Sequence, residues 1–174
     1  TRRKMSNNKQ YRRLIYLLLC GLNLVFSCAF AADRAVEASQ TSKTPLSLTE
    51  YINVLEDTSQ SLTLADMQNA DVEARFKNNA PAGDALNLGY SRSAYWLRLT
   101  LRNDSDHPLE RMLEINYALL TSVQFYQQIS GESYRTISTG SGMPFATRPY
   151  LNRNFVFPVT LPARSNSLIY LRVQ

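Results

Sequence analysis

The chain has 174 residues, 44% of them apolar and 19% charged, and a formal net charge of +5. Six of its 19 basic residues (Arg2, Arg3, Lys4, Lys9, Arg12 and Arg13) and none of its 14 acidic ones lie in the first 31 positions. Removing that segment leaves 13 basic against 14 acidic residues, a net of −1, which takes away the main support for a nucleic-acid partner.

The first predicted element is an export signal, residues 1–31. A basic stretch after Met5 leads into an apolar run from Leu14 to Phe26, and Ala29-Phe30-Ala31 forms an A-x-A cleavage site. The run is shorter than the ~20 residues of a membrane span. An uncleaved anchor and a lipoprotein attached at Cys28 are the two other readings. Both cysteines, Cys20 and Cys28, leave with the signal, so the exported chain has no disulfide and no thiolate metal site. What remains is enough for one domain with a core.

Residues 32–44 are small and polar and read as a disordered lead-in. In 45–58, Leu48, Tyr51, Ile52 and Leu55 suit a helical turn or a short strand equally well. A short helix is predicted between Leu64 and Phe76, with Ser61 or Thr63 as cap and Asp66 in the first turn. Residues 78–85 (NNAPAGDA) form a loop on composition.

From Leu86 onward the period changes to two. Tyr95, Leu97, Leu99 and Leu101 share one strand face, while Trp96, Arg98, Thr100 and Arg102 share the other. A turn with Pro108 follows, and then strands around Arg111–Tyr117, Val123–Gln128 and Tyr134–Ile137. Gly131 marks a turn, and residues 138–149 (STGSGMPFATRP) form a long loop. Phe155, Phe157, Val159 and Leu161 alternate with Asn154, Val156, Pro158 and Thr160, and SLIYLRV is the last strand. Pro158 argues for an edge strand or a bulge. Short strands punctuated by turns indicate an all-β sandwich or barrel. The stop at Gln174, directly after a strand, reads as a truncation.

No catalytic set emerges. His107, the only histidine, sits in a turn before Pro108 and reads as a solvated turn residue. One His without Cys makes no zinc site, and it serves no Ser-His-Asp triad from that turn. Glu110 and Glu114 share a strand face but stand roughly 13 Å apart at ~3.3 Å per residue, beyond the carboxylate separation of a glycosidase. GSGMP has no Lys-Ser/Thr and no following helix, so it is no phosphate loop. Binding chemistry remains. An indole beside guanidinium groups, Trp96 with Arg98, can stack on a sugar ring and hydrogen-bond its hydroxyls or a carboxylate. The competing reading buries Trp96 in a second core layer and pairs Arg98 with an acidic neighbour. Arg148, Tyr150, Arg153 and Asn154 cluster around the long loop as further candidate ligand contacts, against a plain solvated rim.

Several of these segments resemble a known family. Gly89-Tyr90, Tyr95-Trp96-Leu97-Arg98, Asn103, Pro144-Phe145 and Arg153-Asn154-Phe155-Val156-Phe157-Pro158 occur in the order seen in the second type of extracellular domain of bacterial seven-transmembrane receptors with diverse intracellular signalling modules. The resemblance runs from about Leu46 to Gln174. It implies a jelly roll related to carbohydrate-binding modules, placed outside the cytoplasmic membrane ahead of a seven-helix unit. It also implies a cytoplasmic diguanylate cyclase or histidine kinase output. Trp96, Arg98, Arg153 and Asn154 carry over as conditional ligand contacts.

The combined expectation is a periplasmic sensor domain over residues 45–174, itself not an enzyme. It has a small-molecule or glycan ligand, its own membrane unit as partner, a homodimer left open, no cofactor and no nucleic acid. A docking or dimerisation module and a secreted hydrolase are the competing functions.

Overall fold

The computed structural model describes residues 34–40, 45–78 and 85–174. The expected signal segment, both cysteines, the end of the lead-in and most of the 78–85 loop lie outside the described residues.

Eight strands follow one another: β1 Val36–Glu37, β2 Asn53–Asp57, β3 Ala94–Asn103, β4 Leu109–Ile115, β5 Val123–Ser130, β6 Ser133–Thr139, β7 Phe155–Leu161 and β8 Ser165–Val173. Among the described residues one short α-helix, α1, spans Ala70–Glu73. The strands form two sheets packed as a sandwich. The larger runs β1-β3-β8-β5-β6, with β2 also on β3; the smaller is β4 with β7. Both β1 and β2 use the same edge of β3. Antiparallel β2 takes its first half (Asn53↔Arg98 to Asp57↔Ala94), and parallel β1 takes Leu101 and Arg102. The longest seam is β3 against β8, from Tyr95↔Val173 to Asn103↔Ser165.

The period-two pattern sorts side chains onto the faces as expected. Leu97, Leu99, Leu101, Val123, Phe125, Ile169, Leu171 and Val173 point from the larger sheet toward Leu113, Phe155, Phe157, Val159 and Leu161 of the smaller one. At the centre Phe125 and Phe157 stack, with ring centroids 4.8 Å apart and 4° between planes. Burying such side chains contributes about 1.5–3 kcal/mol each before chain entropy is counted. Polar side chains on this face reach backbone carbonyls across the core, although the buried Arg135 Nε meets no acceptor among the described residues. Gln127 donates to the Thr160 carbonyl at 2.7 Å, and Arg111 donates twice to the Ala38 carbonyl, at 3.1 and 2.8 Å.

Three expectations change on contact with the structure, and a fourth, left open in sequence, is resolved. The lead-in is not wholly irregular: β1 and a 3-10 turn at Ala38–Gln40 occupy it, because Val36 and Ala38 fill the sandwich core. Two apolar residues are too few to register as a strand in sequence. The helix expected over Leu64–Phe76 is broken into a 3-10 turn (Asp66–Gln68) and the four-residue α1, since Asn69 between them is extended at φ −79°, ψ 130°. The predicted cap direction is also reversed, with Thr63 N–H and Oγ1 both donating to Asp66 Oδ2 at 2.8 and 2.7 Å. The ambiguous 45–58 segment holds both forms, a 3-10 turn at Thr49–Tyr51 followed by β2.

Pro158 does lie in an edge strand, as β7 pairs with β4 alone. Gly131 takes φ +52° in the β5–β6 turn. Among the described residues no helix is long and apolar enough to cross a membrane.

Candidate functional site

The outer face of the larger sheet, the side away from β4 and β7, carries the second hydrophobic cluster. Trp96 (β3), Tyr126 (β5), Tyr134 (β6) and Tyr170 (β8) lie there with Leu55, Leu62, Leu64, Met67, Val72 and Phe76. Most of the last group belongs to residues 58–76, which leave the sheet at the end of β2 and fold back over it. The excursion closes on itself, because Lys77 bridges back to Val54 through two backbone hydrogen bonds of 2.8 and 3.0 Å. Asp57 fastens its start, accepting from Ser59 Oγ at 2.6 Å and Leu62 N–H at 3.0 Å. Burial opposes the Asp57 charge, yet these bonds, the Gln60 N–H and the Arg172 charge together hold its carboxyl below the usual value of 3.8.

Under this cover Trp96 is completely buried. Its indole stacks on Tyr126 (5.7 Å, 18°) and meets Tyr170 edge-on (6.4 Å, 80°). Tyr170 in turn touches Phe76 and Tyr134 at centroid distances of 6.2 and 6.3 Å. Burial pushes the Tyr170 hydroxyl up to about 12 and raises that of Tyr126 as well. Arg98 lies with its guanidinium carbon 4.7 Å from the Phe76 ring centroid, and its Nη1 donates to Glu73 of α1 at 3.0 Å. The indole Nε1–H of Trp96 is buried and meets no acceptor among the described residues. An N–H left so costs about 1–3 kcal/mol.

The remaining candidates gather elsewhere, on the loop leading into β7. Arg148 acts as a staple there. Its Nη1 donates to the Asn152 carbonyl at 2.8 Å and to the Arg153 carbonyl, while its guanidinium sits 4.9 and 4.3 Å from the rings of Phe145 and Phe155. Asn154 ties the same loop to β4, donating to Glu114 Oε1 at 2.5 Å and Asn116 Oδ1 at 2.9 Å. Arg153 and Tyr150 are exposed. The structure thus separates the sequence candidates into a covered pair, Trp96 with Arg98, and an open group of four.

Other residues of the covered cluster were missed in sequence. Tyr126 and Tyr170 alternate against Phe125 and Ile169, so their parity was readable, but the register that seats them beside Trp96 was not. Asn103 is a fastener. Its Nδ2 donates to the carbonyls of His107 (2.9 Å), Leu161 (3.2 Å) and Pro162 (2.8 Å), joining two turns at one end of the sandwich. His107 is an exposed turn residue.

A family model described as 7TMR-DISM extracellular 2 matches residues 49–174. The chain belongs to this family. The match begins at the 3-10 turn before β2 and takes in both candidate groups and the whole 58–76 cover, leaving β1 outside. As a 7TMR-DISM extracellular 2 member, the chain is a sensor domain of a membrane receptor, held on the outer side of the membrane. The family is non-catalytic. No curated protein matches the chain.

Proposed function

We propose that this domain senses a carbohydrate or other small molecule in the periplasm, and that the ligand engages the aromatic cluster beneath the 58–76 cover. Residues 1–31 serve as the export signal, and residues 45–174 form a sandwich akin to the jelly rolls of carbohydrate-binding modules. The output is a cytoplasmic diguanylate cyclase or histidine kinase.

The observation that carries this reading is the buried Trp96 N–H without an acceptor. It lies in a cluster of four further aromatic rings and beside Arg98. A hydroxyl or carboxylate entering there satisfies the indole, and its sugar or alkyl body stacks on Trp96 or Tyr126. Arg98 exchanges Glu73 for the ligand's acceptor. The 58–76 segment is the element that yields, since its regular structure is limited to a 3-10 turn and the four residues of α1. Ligand binding then shifts an equilibrium between covered and uncovered states.

Because Trp96 is the only tryptophan, its emission reports the cluster directly. Sugars, organic acids and amino acids are screened by thermal shift and by this emission. A ligand raises the melting temperature and changes the emission, and Arg98→Gln weakens both responses. The reading fails if no compound acts and the full receptor signals normally with Trp96→Phe and Arg98→Gln together.

A further inference from the structure

One end of the sandwich is built from two loops, 116–122 before β5 and 140–154 before β7. They are laced into one surface. Ser141 N–H donates to the Leu120 carbonyl at 2.8 Å and Gly142 N–H to the Thr121 carbonyl at 3.1 Å. Gly140 packs its backbone so closely on Thr121 that a Cβ there would overlap the Thr121 carbonyl. Asn154 reaches Asn116 at 2.9 Å.

This end is unusually apolar for an exposed surface. Of the ten exposed large hydrophobic side chains among the described residues, six are here: Tyr117, Leu119, Met143, Phe145, Tyr150 and Leu151. Leu119 is 72% and Leu151 87% exposed. The two loops contain Arg148 and Arg153 and no Asp or Glu. Strand β8 runs to the same end, where Thr121 and Ser122 N–H groups donate to the Gln174 carbonyl at 2.7 and 3.2 Å.

We propose that this loop end is a lipid-docking surface that rests on a bilayer containing anionic phospholipid. Tyr and Phe settle at headgroup level, Leu119 and Leu151 enter the acyl boundary, and Arg153 meets phosphate. The charge pattern selects this occupant over a second copy. Two such ends meeting face to face would bring their arginines together; neither loop carries a carboxylate, and the adjoining Glu114 of β4 is already engaged by Asn154 at 2.5 Å. Membership of a membrane-receptor family keeps the domain near a bilayer in any case. The proposal needs nothing bound at Trp96 and stands apart from the ligand reading.

The test uses the whole chain with Cys20→Ser and Cys28→Ser, which removes both native thiols. A single cysteine is placed by Ala146→Cys in the loop end, or by His107→Cys at the opposite end, and labelled with an environment-sensitive dye. Vesicles of phosphatidylethanolamine with phosphatidylglycerol should blue-shift the dye at position 146 and leave position 107 unchanged. Vesicles of phosphatidylcholine alone should act more weakly. Leu119→Ser with Leu151→Ser should lower the partition measured at position 146 by at least about tenfold. Arg153→Gln should lower it about fivefold and flatten its salt dependence. Unchanged Trp96 emission certifies that the variants are folded. Equal responses at both positions, no response at 146, or a protein-concentration-dependent shift at 146 without vesicles would each overturn the proposal. The last outcome would assign the surface to a second copy.

Discussion

The two faces of the larger sheet bury their side chains by different means. The inner face uses Leu, Ile, Val and Phe against a second sheet; Gln127 and Arg135 reach across it to the Thr160 and Pro158 carbonyls, and the buried Arg135 Nε meets no acceptor among the described residues. The outer face uses Trp96, three tyrosines and Arg98 against a loop. There the indole N–H has no acceptor and the guanidinium leans on a carboxylate whose side chain is 55% exposed. The inner face specifies the sandwich. The outer face holds an indole N–H without an acceptor, under a segment whose regular structure is limited to a 3-10 turn and α1. The ligand site proposed above rests on this difference.

The largest predicted effect tests the asymmetry directly. Phe125 and Tyr126 are adjacent in β5 and point to opposite faces. Phe125→Ala opens a hole beside Phe157 and should destabilise the fold by about 3–5 kcal/mol. Tyr126→Ala, beneath a cover that can settle, should cost about 1–3 kcal/mol. Equilibrium urea unfolding measures both, and equal losses would mean that the cover is as rigid as the second sheet.

Next in size is release of the cover itself. Asp57→Ala removes the acceptor of Ser59 and Leu62 and should cost about 1–3 kcal/mol. Amide exchange should quicken at Leu62 and Met67 and stay slow at Phe125. Acid should do the same. The folded carboxyl lies below 3.8, so its stabilisation is present above that pH and is lost as pH falls through the depressed value. Glu37 provides an internal comparison at the far end of the same β3 edge. The Ser39 hydroxyl first, then Ser39 N–H, Arg102 and Asp104 N–H, hold its carboxyl down at about 2 from 4.5. Its contribution is therefore complete above 4.5 and fades toward pH 2. Exchange at Val36 should report the release of β1 in that window.

The inner face was legible in sequence because it depends on local order. Leu97, Leu99 and Leu101, or Phe155, Phe157 and Val159, announce a strand and its buried side without reference to anything distant. The other face of the same strand was read as either a surface or a second core layer. Its burial depends on residues 58–76, some twenty to forty positions upstream, and on a return contact between Val54 and Lys77 that leaves no periodic trace. The broken helix has the same origin. Asn69 adopts an extended conformation so that Met67, Val72 and Phe76 can all reach the sheet. Asn103 entered only as part of the family pattern and Asn154 as a candidate ligand contact, and both fasten turns, a role that spacing alone does not distinguish from ligand contact.

A smaller effect is expected at the indole. Trp96→Phe keeps a ring in place and deletes an N–H that has no acceptor, so only lost contacts count, about 1 kcal/mol. Thermal unfolding checks the cost. If it reaches that of Phe125→Ala, the indole belongs to a fixed core and the outer face loses its claim to a ligand.

The smallest effect is predicted for Glu73→Gln. Its carboxylate lies 3.0 Å from Arg98 Nη1, which on distance alone resembles a buried ion pair. Exposure decides otherwise. The arginine side chain is 9% exposed, but the glutamate is half in water, and solvent screens its end of the pair. Arg98 also lies over Phe76 and has further contacts, so loss of Glu73 does not strand its charge. The substitution should cost about 0.5 kcal/mol or less by urea unfolding. A loss near 3 kcal/mol would be that of a desolvated pair broken at one side. In that event Glu73 and Arg98 would lock the cover shut, and the contrast between a fixed inner face and an exchangeable outer one would fail at the residue meant to trade partners.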